Sequence, residues 1–155
     1  MEDKFMNAML NDAALGGPLL LIGRVFMAAV FVVFGVNKAV NTPQIQQYMA
    51  LHHVPGQLVY LTIAVQIGFG VLVALGYRTR FAALMLAGFC IIATSLFHAD
   101  FSMPGELSHF LKDFAIAGGF LFMIAKGPGP LSVDAHLMRV RKRAKLSALY
   151  PIRGV

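Results

Sequence analysis

Four apolar stretches, residues 18–36, 57–75, 81–97 and 108–125, alternate with short polar segments along the chain. Each has about the 17–25 residues that a helix needs to cross a hydrocarbon core. Backbone polar groups in lipid must be satisfied within the segment, so these stretches are expected to be helices. The pattern predicts an all-α membrane protein, a bundle of four transmembrane helices. Residues 1–17 precede the bundle, 18–126 build it, and 127–155 form a basic tail.

Local signals refine the picture. Gly17-Pro18 opens the first span, with proline in a first turn. Residues 1–17 are expected to form a short amphipathic surface helix, not a cleavable signal, because the apolar run that follows is too long. Thr42-Pro43 reads as an N-cap followed by proline at the first helical position, starting a short surface helix over 43–52. Gly76-Tyr77-Arg78-Thr79-Arg80 makes a tight turn between the second and third spans. Gly127-Pro128-Gly129-Pro130 ends the fourth. A basic surface helix is expected from Ser132 onward.

Helical spacing gives each span a small or polar stripe. Arg24, Ala28, Phe31, Gly35 and Lys38 share one face of the first span. Thr62, Gln66 and Gly70 share one of the second, and Ala83, Ala87, Cys90, Thr94 and His98 one of the third. The fourth offers two adjacent stripes, Ser108-Lys112-Ala115-Gly119 and His109-Asp113-Ile116-Phe120. Small residues let membrane helices approach closely, since lipid supplies no hydrophobic drive between them.

Composition agrees with this solvent. The chain has 155 residues, 58% of them hydrophobic and 13% charged, against about 45–50% and 25% in a soluble domain. Ten of the thirteen basic residues fall on one side of the spans. By the positive-inside rule both termini are cytoplasmic. The net charge of +6 is therefore topological, and no nucleic-acid partner is expected. The single cysteine, Cys90, excludes an intramolecular disulfide and reads as a small packing residue.

Polar residues inside the spans are the candidates for chemistry, because ionisable groups in lipid are costly. Arg24 either snorkels to phosphates or acts as a fixed cation for a carboxylate or an anionic ligand. Gln66, near the midplane, either knits helices or lines a cavity. Asp113 needs a cation or water nearby, and Lys38, Lys112 and a protonated histidine are the candidates. His52, His53, His98, Asp100, Glu106 and His109 collect at the outer rim. Their spacings match no metal motif, and no metal site is assigned. A proton or quinol site beside an apolar pocket needs fewer groups, with Asp113, His98 and Lys38 the candidates. The tail run Arg139, Arg141, Lys142, Arg143 and Lys145 would attract anionic lipids by about 1 kcal/mol per basic residue, with partner docking as the alternative.

The chain resembles the DoxX family of four-helix membrane proteins. The resemblance rests on Gly23-Arg24 and Phe34-Gly35-Val36-Asn37-Lys38 in the first span. It continues through Gln66-Ile67-Gly68-Phe69-Gly70 and Leu75 to Ala83, then Phe110 to Gly119, and ends with Gly127-Pro128-Gly129 and Leu131-Ser132-Val133-Asp134. It spans residues 18–134. Two positions depart from the family pattern: a glutamate is common where Gln66 stands, and an asparagine where Asp113 stands. The resemblance implies a bacterial inner-membrane protein. Family members include a subunit of a thiosulfate:quinone oxidoreductase and a component associated with oxidative-stress enzymes.

The leading expectation is an accessory subunit or membrane anchor of a redox system near the quinone pool. Asp113 and His98 would handle protons, and Arg24, Lys38, Gln66 and Lys112 would hold a quinone. No haem, iron–sulfur or flavin motif is present, so electrons would come from a partner redox subunit. No activity is expected of the chain on its own. A non-catalytic assembly protein is the alternative. A small transporter comes third, since four short helices need a homo-oligomer to enclose a pore.

Overall fold

The computed structural model describes residues 13–149. Six helices make up the regular structure of that segment: α1 (Ala13–Val40), α2 (Thr42–Leu51), α3 (Leu58–Leu75), α4 (Thr79–Phe97), α5 (Glu106–Lys126) and α6 (Val133–Leu149). Four of them, α1, α3, α4 and α5, are long and apolar enough to cross a membrane. They match the four expected spans. The expected surface helix over 1–17 lies largely outside the described residues, and residues 13–17 belong to α1. Pro18 therefore sits inside α1, one turn later than expected.

One other boundary shifts, and one expected boundary is closed by a clear device. Asn41, not Thr42, occupies the N-cap of α2. The Thr42 hydroxyl instead donates backward to the carbonyls of Lys38 (2.9 Å) and Ala39 (3.1 Å), tying α2 to the end of α1. At the far end of α3, Gly76 takes the left-handed conformation (φ 69°). Its amide donates to Val73 O and that of Tyr77 to Leu72 O, the paired bonds that close a helix C-terminus. A side chain at Gly76 would also meet Ser132 Cβ at 2.5 Å, so the turn requires glycine twice over.

α1 packs along α3, and α4 along α5, while the α3–α4 contact joins the pairs. α1 and α5 touch sparingly. The core is built from the expected stripes: Arg24, Ala28 and Phe31 of α1, Gln66 and Gly70 of α3, and Ala83, Ala87, Cys90 and Thr94 of α4 are buried, joined by Val73 from outside the α3 stripe. On α5 the second stripe turns inward, with Phe120 buried and Ser108, Lys112 and Ala115 exposed. The Phe31 ring meets Phe120 at 5.3 Å and Phe89 at 6.4 Å. Backbone approach between α1 and α3 depends on Gly35, where a Cβ would lie 2.6 Å from Ile67 Cγ1. Large apolar side chains such as Phe26, Ile92 and Phe122 cover the outside, as expected of lipid-facing positions.

Candidate functional site

The basic end of the bundle is tied together by one network. Arg24 is 3% exposed, so it does not snorkel to the surface. Its guanidinium donates to the carbonyls of Pro128 and Leu131, the latter at 2.8 Å. The fork geometry of arginine suits this bridge, because one planar group reaches two acceptors. The segment that leaves α5 is thereby fastened to α1. Ser132 then caps α6: its hydroxyl accepts from the Ala135 amide (3.1 Å) and donates to Gly129 O (2.7 Å).

Asp134 completes the knot. One carboxylate oxygen accepts from the Arg78 amide (2.9 Å), and the other from the Thr79 amide (3.0 Å) and hydroxyl (2.9 Å). These are orphan donors at the start of α4, whose own N-cap residue, Arg78, supplies no side-chain bond. Asp134 thus caps α4 from another helix. Its own amide donates to Gly76 O (2.9 Å). Arg78 sits at φ 45°, a conformation costly for a residue with a Cβ, and Asp134 holds its amide in place. Burial pushes the Asp134 carboxyl up, but the bonds from Thr79 and Arg78 and the nearby Arg24 charge outweigh it, leaving it below the ordinary carboxylate range.

Beside this knot a cleft of about 230 Å³ opens between α1 and α5, where they touch least. Leu19, Leu20, Met27, Phe122 and Met123 form its walls, with Arg24 and Lys126 the charged lining residues. Arg24 Nε is buried and has no hydrogen-bond partner. Gly23 also lines the cleft, and a Cβ there would meet nothing within 4 Å.

The opposite, histidine-rich end is built differently. His98 Nδ1 lies 2.6 Å from Glu106 Oε2, linking the end of α4 to the start of α5. The His98 and His109 rings stack at 5.0 Å, and Lys112 Nζ approaches His109 Nδ1 at 3.2 Å. Tyr48 of α2 stacks on Phe97 at 5.5 Å, and His52 meets the same ring edge-on at 5.2 Å. Burial, then the Glu106 charge, pushes the Tyr48 phenol up. In the loop, hydrogen bonds from the Ser102 hydroxyl (2.6 Å) and amide (3.1 Å) hold the Asp100 carboxyl below its usual range.

Between the ends, Asp113 of α5 lies within electrostatic range of Lys38 on α1 and Cys90 on α4. Gln66 Oε1 and Thr94 Oγ1 are buried without hydrogen-bond partners. All four spans therefore bring a polar group to the half of the bundle nearer the histidine end.

The residues singled out from the sequence do not converge on one site. Lys38 and Asp113 are near neighbours electrostatically, without an ion pair within 4.0 Å. His98 is engaged with Glu106, and Lys112 is exposed beside His109. Arg24 stands about 21 Å from Lys38 along α1 at about 1.5 Å per residue. Sequence reasoning passed over Ser132, Thr79 and Asp134 as working residues. A serine two residues after the Gly-Pro-Gly-Pro break and three residues before Ala135 was the readable signal of a cap.

Comparison with known proteins accords with this architecture. The DoxX family profile matches residues 19–99. The chain is 36% identical over 118 residues to the inner membrane protein YqjF of Escherichia coli K12, covering 76% of this chain and 91% of that one. It is 31% identical over 123 residues to inner membrane protein YphA of the same organism, covering 75% and 88%. A Surfeit locus protein 4 homolog of Drosophila melanogaster is 38% identical over 73 residues, covering 43% of this chain and 27% of that one. No solved structure matches the chain. Four apolar helices, a family profile covering more than half of the sequence and two inner-membrane relatives matched over most of their length place the chain in the DoxX family, as a multi-pass inner-membrane protein.

Proposed function

We propose that the chain is an accessory membrane subunit of a redox system and that the α1–α5 cleft holds a quinone ring. The observation that carries this reading is the unpartnered Arg24 Nε beside an apolar, lipid-side cleft. A buried donor without an acceptor costs about 1–3 kcal/mol, and a ring carbonyl oxygen would recover it. Pockets for drug-sized ligands run to about 300–1,000 Å³, so about 230 Å³ suits a head ring whose tail stays in lipid. Met27 and Met123 are flexible, polarisable walls that adapt to a planar ring. A bound quinone supplies electron and proton exchange, and the electrons come from a partner subunit. The chain's own part is to bind and orient: Nη1 and Nη2 of Arg24 are held by Pro128 and Leu131, which leaves Nε as its one nitrogen without a partner.

The test is quinone content after purification in native-lipid particles. Wild-type protein is expected to carry quinone well above its ratio in bulk lipid. Gly23→Leu, which fills the cleft from an open position, is expected to lose that excess while keeping normal abundance. Quinone at the bulk ratio in wild type, or equal loading in Gly23→Leu, sinks the reading. A second reading, a non-catalytic assembly protein, is favoured by the hydrogen bonds of the basic end, which serve to hold α1, α4 and α6 together. That reading predicts that Gly23→Leu leaves complementation of a deletion strain unchanged.

A further inference from the structure

The basic knot has an outer side that neither the cleft nor the cap explains. A wide groove of about 1180 Å³ runs between the α3–α4 turn, the segment after α5, and α6. Five cations line it: Arg78, Arg80, Lys126, Arg139 and Arg141. Asp134 is the only acid along it, and both of its oxygens are already occupied by Arg78 and Thr79. Among the described residues no carboxylate lies within 4.0 Å of any of the five cations. Like charges gathered on one concave surface repel each other and concentrate counter-ions.

The setting also has an apolar component. Lys126 ends one spanning helix, and Arg78 and Arg80 start another, so the groove lies at the depth where hydrocarbon gives way to headgroups. Phe81 and Met138 line it and are more than half exposed. A ligand that is anionic at one end and apolar at the other satisfies both features. We propose that this groove is a binding site for the headgroup of an anionic phospholipid, its phosphate among the five cations and its acyl chains against Phe81 and Met138. The site depends on the fold, because its cations come from three separate segments. That distinguishes it from the diffuse attraction of a basic tail for a charged surface.

The experiment uses the full chain in nanodiscs of zwitterionic phosphatidylcholine doped with spin-labelled phosphatidylglycerol. The readout is the affinity of motionally restricted anionic lipid relative to labelled phosphatidylcholine. Two double variants remove the same charge. Arg80→Gln/Arg141→Gln removes it inside the groove, and Lys142→Gln/Lys145→Gln removes it from α6 positions that do not line the groove. The groove pair is expected to weaken the anionic preference of the restricted lipid by about 30-fold, from roughly 1 kcal/mol per charge, and the control pair by less than about threefold, because a lipid held in the groove meets neither Lys142 nor Lys145. Arg141→Gln alone, on an exposed helix where folding is not at stake, is expected to weaken it by about fivefold on the same scale. Equal effects of the two pairs overturn the proposal. So does displacement of the labelled lipid by inorganic phosphate at equal concentration, which would mark a free-anion site. Gly23→Leu serves as an independent control and is expected to leave lipid preference unchanged, so this test fails separately from the quinone reading.

Discussion

The two ends of this bundle use polar residues in opposite ways. At the basic end, Arg24 and Asp134 direct most of their hydrogen bonds to backbone groups of distant segments, and Ser132 directs its own to backbone groups three residues away. At the histidine end, the main polar link is between two side chains, His98 and Glu106, each about one-quarter exposed. Backbone partners fix the fold, because a carbonyl or amide cannot turn away or change charge. Side-chain partners near water can exchange with solvent. The contrast teaches that one end is a structural lock, and the other an adjustable polar rim.

The strongest way to break this contrast is Arg24→Ala. It deletes two charge-assisted bonds, each worth about 1.5–3 kcal/mol, and leaves the Pro128 and Leu131 carbonyls without their donor. We expect a loss of about 3 kcal/mol in unfolding free energy, measured by denaturant titration in mild detergent. Arg24→Lys is expected to recover less than half, since a point-like ammonium lacks the planar fork. An Arg24→Ala variant as stable as wild type would show that the basic end is no lock at all.

Asp134→Asn comes next and sharpens the contrast through pH. Losing a cap costs about 0.5–2 kcal/mol, and we expect about 1.5 kcal/mol at neutral pH. The Asp134 carboxyl lies below its ordinary range in the folded chain, despite burial, because of the Thr79 and Arg78 bonds and the Arg24 charge. Its contribution is therefore fully present above the unfolded value of about 3.9. It is lost only as pH falls through the lower folded value. The stability gap between wild type and Asp134→Asn should stay constant from neutral pH down to about 4 and narrow below that. A gap that closes already near pH 6 would contradict the cap geometry.

How much of this was legible beforehand follows from which interactions are periodic. The spans, their inward stripes and the Gly76 and Gly127 stops could be read, because lipid enforces helices and helices enforce spacing. Arg24 was recognisable as costly, but its partners were not, since Pro128 and Leu131 are more than a hundred residues away and contribute carbonyls that every residue has. Asp134 stood out only as part of the Leu131-Ser132-Val133-Asp134 motif, and nothing local says that it caps α4. Lys112 and Asp113 differ by about 100° on one helix, and only packing decided that Asp113 is the more inward of the two. The cleft between α1 and α5 is a failure of two helices to meet, which leaves no signature in either helix.

The smallest expected effect lies at the histidine end. A double-mutant cycle of His98→Gln and Glu106→Gln isolates their coupling from the separate costs of each substitution. The contact is short, at 2.6 Å, but both side chains are about one-quarter exposed, so water competes for each of them. Exposed ion pairs typically contribute 0.2–1 kcal/mol, and we expect about 0.5 kcal/mol here, weakening further in high salt. The comparison with Asp134 is what makes this small number informative. Asp134 and Glu106 are both carboxylates at the start of a helix, but Asp134 reaches a segment 55 residues away, whereas Glu106 reaches across one loop to a residue eight positions back. One accepts from fixed amides, whereas the other meets a part-exposed histidine ring. A coupling above about 2 kcal/mol would mean that the rim is as rigid as the basic end, and the division between lock and adjustable rim would have to be abandoned.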